Sequence, residues 1–334
     1  MSELTEYMKA CKRILQQDRP KQPAEWDGIS YVNWWDGAAE EMWFSRFLSH
    51  RLPDRTKNVR FYSVFGPRRR LHDGFRGARI FYSGENVEPG RLCKNVRMNR
   101  RSALYFYGHR VRTYGDYALP LMDLSLGFGH RTEDNYLRFP EWIPFTFEPE
   151  SGPREVRERV AQINAAMPRS DAAGALLLAS HDDFGTRTSI ADGLTGILDI
   201  TYGGKFRNNS NALKTRFEDD KLRYLRTFRF NICPENTDTE GYCTEKLFDS
   251  FRTGTIPVYN GSHNDPEPGL VNRDAVVFWD FDGDNAESIR LIRELDADDR
   301  KRERFLKQTR LTDAAADYVC EELEQLKERI RALT

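Results

Sequence analysis

Cysteine is scarce in this 334-residue chain: the five present, Cys11, Cys93, Cys233, Cys243 and Cys320, are scattered and form no CxxC pair. That pattern fits neither a disulfide framework nor a zinc site and points to a reducing, cytoplasmic setting. Long apolar runs are missing too. No stretch approaches the ~18 apolar residues of a membrane span, and the first thirty residues lack the apolar core of an export signal. Neither charge is in surplus, since 51 Lys and Arg stand against 52 Asp and Glu, which excludes a protein whose main business is coating nucleic acid. The six histidines show no metal-ligand spacing, and there is no internal repeat.

What is present is length enough for two cores and an alternation of strand-like and helix-like segments. Residues 1–27 form a polar lead. "NVRFYSVFGP" (58–67) and "GARIFYSGEN" (77–86) are β-branched and aromatic runs stopped by glycine, as strands feeding loops are. The proline-rich, aromatic stretch 135–153 loses its hydrophobicity at "EPESGPREVRER", which sets a domain boundary near residue 150. Beyond it, the helix-like "REVRERVAQINAAM" precedes the strand-like "AGALLLAS", the helix-like "RTSIADGLTGI", a glycine turn at "YGGKFRNN" and the strand-like "RTFRFNIC". Such alternation predicts an α/β fold with parallel sheets. Residues 311–334 place Val319, Leu323, Leu326, Ile330 and Leu333 on one helical stripe, read first as packing on the body and second as a dimer or peripheral inner-membrane contact.

The segment that concentrates chemistry is "FNICPENTDTEGYCTEKLFDS" (230–250). It reads as a strand end, an acidic-polar loop and a helix capped by Thr244, with Glu245 and Lys246 in the first turn. A lysine at the positive end of a helix dipole calls for a negative partner. In an open α/β sheet, phosphates gather at such helix starts, beyond the carboxyl ends of strands. Lys246 suits a phosphate and Glu245, acceptor-only when ionised, suits a ribose diol.

Extended through "FRTGTIPVYNG", this segment closely resembles the signature of the α1,3/α1,4-fucosyltransferases, glycosyltransferase family ten. "NWW" (33–35), "FYSGEN" (81–86) and "GGKFRNN" (203–209) resemble further landmarks in the same order. The resemblance implies a GT-B fold, two Rossmann-like domains facing a cleft. The acceptor-binding domain would span 28–150 and the GDP-fucose-binding domain 151–310.

It further implies inverting transfer of L-fucose from GDP-β-L-fucose to a GlcNAc or glucose hydroxyl of an oligosaccharide. Glu85 maps on the general base and Arg207 on the phosphate-binding arginine. Asn236, Tyr242, Glu245 and Lys246 map on the nucleotide contacts. Trp34, Trp35, Asn86, His130 and His181 are candidates for lining the cleft or holding the acceptor.

No cofactor is expected beyond the donor substrate, and divalent metal is not expected to be essential. "DFDGDN" (280–285) reads as an acidic strand-to-helix turn rather than a cation loop. Asn260 and Cys243 depart from the family pattern without removing a charged group from the site. The segment from Arg91 to Arg112, with seven Lys and Arg and no acid, reads as an insertion that shapes acceptor choice rather than as a nucleic-acid patch. The alternatives are a GT-B transferase using another nucleotide sugar and a catalytically silent nucleotide- or glycan-binding protein. With neither the membrane anchor nor the disulfides of animal members, the chain reads as bacterial-type and cytoplasmic.

Overall fold

The computed structural model describes residues 24–54, 58–66, 68–87, 114–182 and 184–334. The chain divides into two compact units, one of residues 1–144, 148–150 and 321–334, the other of 145–147 and 151–320.

The first unit holds a six-stranded sheet in chain order: β1 (Ala24–Trp26), β2 (Ile29–Val32), β3 (Val59–Tyr62), β4 (Ala78–Tyr82), β5 (Leu124–Gly127) and β6 (Tyr136–Arg138). β1 is antiparallel to β2, and the remaining pairs are parallel. The expected runs at 58–67 and 77–86 thus become neighbouring strands. All four residues of β2 and of β5 are buried, the near-continuous burial that parallel strands covered on both faces require. Helix α1 (Trp43–Arg51) buries Phe44, Phe47 and Leu48, and Phe44 lies 4.8 Å from the ring of Phe61 on β3.

In the second unit five parallel strands lie in the order β11-β10-β9-β7-β8. They are β7 (Ala175–Leu177), β8 (Ile200–Tyr202), β9 (Phe230–Ile232), β10 (Ile256–Tyr259) and β11 (Val277–Phe278). From β7 the chain steps to one side to reach β8; from β9 it steps to the other to reach β10. The gap between β7 and β9 is therefore the topological switch point, the place where open α/β sheets bind ligands.

The helices of this unit include α2 (Pro153–Ala165), α3 (Thr186–Gly193), α4 (Lys221–Leu225), α5 (Glu245–Thr253) and α6 (Ala286–Ala297). α5 follows β9 and buries Leu247, Phe248 and Phe251 completely, each such side chain being worth about 1.5–3 kcal/mol. Gly254 ends it at φ 74°, and a Cβ there would stand 2.5 Å from the Met167 backbone, so glycine is required twice over.

The C-terminal helix α7 (Asp313–Leu333) buries Val319, Leu323, Leu326 and Ile330 within the chain. Those four side chains of the stripe are buried, and Leu333 at its end is 36% exposed. Among the described residues no helix is long and apolar enough to cross a membrane. The basic segment 91–112 lies outside the described residues.

Candidate active site

At the switch point the carboxyl ends of β7 and β9 open onto a small pocket, where open α/β sheets bind ligands. Its polar lining is Arg187, Lys221, Asn231, Glu245 and Lys246. Three cations against one carboxylate suit an anion, and Glu245 and Lys246 are there because α5 begins at the pocket.

The negative partner that Lys246 calls for is found inside the protein. Its Nζ lies 3.0 Å from the carboxylate of Glu235, whose side chain is 0% exposed. Glu235 also accepts from the Thr244 amide at 2.8 Å, the Thr244 hydroxyl at 2.7 Å and the Tyr259 hydroxyl at 3.3 Å. Thr244 Oγ1 in turn accepts from Lys246 Nζ at 3.1 Å and caps α5 through the Lys246 amide. The Lys246 amide is thus already capped, and the cation of that first turn is tethered from below.

Glu245 faces Lys221 at 3.5 Å, and Lys221 reaches the buried Asp249 at 2.7 Å. Burial works to raise the Glu245 carboxyl, but Lys246 and Lys221 outweigh it and hold it below the ordinary glutamate value. Burial likewise opposes the Lys221 ammonium, and Asp249 and Glu245 reverse the balance to keep it protonated. The pocket's acid and its central base therefore stay ionised around neutrality.

Arg187 comes from the first turn of α3. Asp182 accepts from the Arg187 and Thr188 amides at 3.2 and 2.8 Å and so completes that helix start. The buried guanidinium donates to the His181 carbonyl at 2.6 Å and to Asn236 Oδ1 at 2.8 Å. Asn236 is thereby fixed beside the pocket, whereas the exposed His181 contributes its backbone carbonyl. Arg207 stands apart from this lining, exposed at φ 47° and paired with Asp192 at 2.5 Å. Tyr242 is packed inside, 1% exposed, and is not a lining residue either.

Glu235, Arg187 and Lys221 carry no role in the sequence reading. Glu235 stands within the quoted motif. Arg187 and Lys221 are single cations on short helices, with no periodic signal to separate them from solvated ones; only their burial and partners do so.

In the first unit, the carboxyl ends of β2 and β4 carry a different chemistry. Trp34 lies 5.0 Å from Tyr31 and from Trp35, ring centre to ring centre, and 5.9 Å from Tyr82, while Trp35 packs 4.7 Å from Phe65. Three residues beyond Tyr82 comes the half-buried Glu85. Its amide donates to Ser83 Oγ at 3.1 Å, and Ser83 Oγ donates back to its carbonyl at 3.0 Å, a local turn that sets the glutamate at the end of the strand. Gly84 lets the Glu141 side chain lie against this loop, because a Cβ there would overlap the Glu141 carboxyl. Asn86 is half-buried next to Glu85, and His130 is exposed beyond β5.

Among the described residues no group of three or more His, Cys, Asp or Glu is arranged to hold a metal ion. In the 280–285 turn Asp280 Oδ1 accepts from the Asp282 amide at 3.0 Å, and Asp284 accepts from the Ala286 amide at 2.9 Å. These carboxylates build the turn that leads into α6. Asn260, the departure from the family pattern, is buried and donates to the Trp279 carbonyl at 2.9 Å.

Comparison with known proteins accounts for nearly the whole described chain. The family model for the "Alpha-(1,3)-fucosyltransferase FucT N-terminal domain" matches residues 29–145, and that for "Glycosyltransferase family 10 (fucosyltransferase) C-term" matches residues 170–331. The "Alpha-(1,3)-fucosyltransferase FucT" of Helicobacter pylori is 27% identical over 258 residues, 70% of this chain and 50% of that protein. "GDP-fucose protein O-fucosyltransferase 3" of Bos taurus is 33% identical over 88 residues, 26% of this chain and 18% of that one. The chain thus spans half or less of these curated relatives. A crystal structure of an α1,3-fucosyltransferase with GDP-fucose superposes with a TM-score of 0.54 at 19% identity, covering 94% of this chain and 95% of that one. A second, with GDP, gives 0.53 at 20% identity over the same shares. At that identity the structures speak for the shared two-domain fold.

Proposed function

Because this chain belongs to glycosyltransferase family 10, the fucosyltransferases, we propose that it moves L-fucose from GDP-β-L-fucose to a GlcNAc or glucose hydroxyl of an oligosaccharide, with inversion to an α-fucoside. The observation that carries this reading is the switch-point pocket with Arg187, Lys221 and Lys246 converging on it.

The diphosphate of the donor takes Lys246 and Arg187 as its cations. Each charge-assisted contact is worth roughly 1.5–3 kcal/mol. As the bond from the anomeric carbon to the β-phosphate oxygen breaks, these cations take up the charge that develops on GDP, so departure needs neither an acid nor a metal. Glu245, ionised, accepts from the ribose hydroxyls. Asn236 is held by Arg187 for a further nucleotide contact. Arg207, exposed and engaged by Asp192, contributes less than Arg187.

Glu85 is the general base. It accepts the proton of the acceptor hydroxyl as that oxygen attacks the anomeric carbon from the face opposite GDP. A base so placed contributes typically about 10²–10⁴-fold. Trp34 and Trp35 offer the apolar face of an acceptor sugar a surface to stack on. In this reading the acceptor is a glycan or oligosaccharide, and the 91–112 segment selects among acceptors.

The test is GDP release from GDP-fucose with lactose, N-acetyllactosamine and its β1,3-linked isomer, in wild type and Glu85→Gln. Acceptor-dependent release that falls at least about a hundredfold in the variant supports the proposal. GDP binding without release on any acceptor favours a silent binding protein. Turnover of another nucleotide sugar in preference to GDP-fucose overturns the donor assignment.

A further inference from the structure

Lys246 does not meet the pocket alone: it arrives bound to a carboxylate that solvent cannot reach. Glu235 is enclosed on every side the structure describes. Thr244 gives it an amide and a hydroxyl, Tyr259 a second hydroxyl, and Lys246 its ammonium. A Cβ at Gly261, whose φ is 153°, would stand 2.6 Å from Glu235 Cγ and 2.9 Å from the Tyr259 hydroxyl, so that glycine leaves the carboxylate just the room it occupies. Pro234 and Cys233, which precede Glu235, both line the pocket. A buried carboxylate is costly unless fully hydrogen-bonded and paired. Capping α5 would need only the Thr244 hydroxyl, so the cap alone does not explain why a charged group lies beneath the helix start.

We infer that Glu235 is a positioning residue: it acts through Lys246, holding the ammonium at the pocket so that the ion is in place when charge develops on the leaving diphosphate. The inference rests on the donor-site reading above. Lys246 has a long, flexible stem, and its side-chain exposure is 23%; without an anchor the ammonium would spread over several rotamers, most of them away from the pocket. Glu235 and Thr244 Oγ1, at 3.0 and 3.1 Å from Nζ, select one. The same division of labour, a glutamate holding a phosphate-binding lysine, operates in protein kinases.

The experiment is a double-mutant cycle with Glu235→Gln and Lys246→Ala, reading both GDP affinity by calorimetry and kcat/KM for GDP-fucose. Glutamine keeps the shape and the bond from the Thr244 amide but loses the charge. In an otherwise wild-type chain, Glu235→Gln is expected to lower kcat/KM about 10–100-fold, mostly through kcat, with GDP affinity changed less than about threefold. In the Lys246→Ala background the same change should cost less than about threefold, because the residue it acts through is gone.

Equal losses in the two backgrounds would show that Glu235 works independently of Lys246 and overturn the inference, as would a folded Glu235→Gln protein with unchanged kcat/KM. If Glu235→Gln does not fold, Thr244→Val removes the bridging hydroxyl and should reduce kcat in the same direction, while Thr244→Ser should restore it; Thr244→Val with wild-type kcat overturns the inference. Failure of the wild-type protein to bind GDP is a separate result and strikes the donor-site reading itself.

Discussion

Each unit contains a carboxylate bonded to a tyrosine hydroxyl and to a cation, two arginines in one and a single lysine in the other, and the two clusters differ in kind. In the first unit Asp73 binds Arg60 at 2.9 Å, Arg79 at 3.0 Å and the Tyr62 hydroxyl at 3.0 Å. Arg60 and Arg79 pair across β3 and β4, and their guanidinium planes lie against the rings of Phe75 and Tyr62. In the second unit Glu235 binds Thr244, Tyr259 and a lysine that lines a pocket. Arginine's fixed fork makes a rigid staple between strands, whereas a lysine tethered at its ammonium keeps a compact point charge for a ligand. The carboxylate thus ties neighbouring strands together in one unit and lies under a pocket-lining cation in the other, and the identity of the cation tells the two apart.

The same contrast runs through the strand ends: rings and one carboxylate, Glu85, in the first unit; converging cations in the second. Glu85→Gln gives the largest expected effect, a kcat loss of about 10²–10⁴-fold, while GDP affinity stays within about twofold of wild type in a calorimetric titration. A joint loss of binding and turnover would break the division between the units. Next come the two arginines of the second unit. Arg187→Ala should reduce kcat/KM for GDP-fucose about 10–100-fold, and Arg207→Ala less than about threefold, because its salt bridge to Asp192 is exposed. The reverse ranking in steady-state kinetics would restore Arg207 to the phosphates.

Asp73→Asn should behave in the opposite way to Glu235→Gln. It leaves kcat intact but costs about 1–3 kcal/mol of stability, read by urea unfolding. Burial works to raise the Asp73 carboxyl, but bonds from the Phe75 amide, Arg60, Arg79 and Tyr62 outweigh it and hold it below the ordinary aspartate value. A carboxyl depressed on folding contributes stability above its unfolded value, about 4, and loses that contribution as pH falls through the folded value. Wild type should therefore lose its stability advantage over Asp73→Asn below about pH 4; an advantage that persists into stronger acid would contradict the cluster.

The smallest effect concerns Cys233. Burial pushes its thiol up to about 12, with Ser250 only partly offsetting it. In the folded protein at pH 8 it should resist alkylation despite lining the pocket, and react once the chain is unfolded, as mass spectrometry would show.

Much of this architecture was legible from the residues. The strand-like runs at 58–67, 77–86, 173–180 and 226–233 each contain an observed strand, and the Thr244 cap and the 280–285 turn lie where capping and turn chemistry place them. The helical stripe from Val319 to Leu333 was legible as well, and its first four members are buried, as packing on the body requires. The position of Lys246 announced a negative partner, but not that the partner is Glu235, because a carboxylate in an acidic loop looks solvated until the strand pairing of β9 and β10 carries it beneath α5. Arg187 was illegible for a similar reason. A single arginine at a helix start is singled out by its bond to Asn236, 49 residues away, and nothing in the local sequence encodes a contact at that separation.

In the proposed function the β7–β9 switch point is a nucleotide-diphosphate site that depends on Lys246. Calorimetric titration of GDP, with UDP as the comparison and with and without a chelator, tests it directly in wild type and Lys246→Ala. The expected result is one site that prefers GDP, is indifferent to the chelator and is weakened at least about tenfold by the substitution. No binding of GDP, or binding that Lys246→Ala leaves untouched, would contradict it.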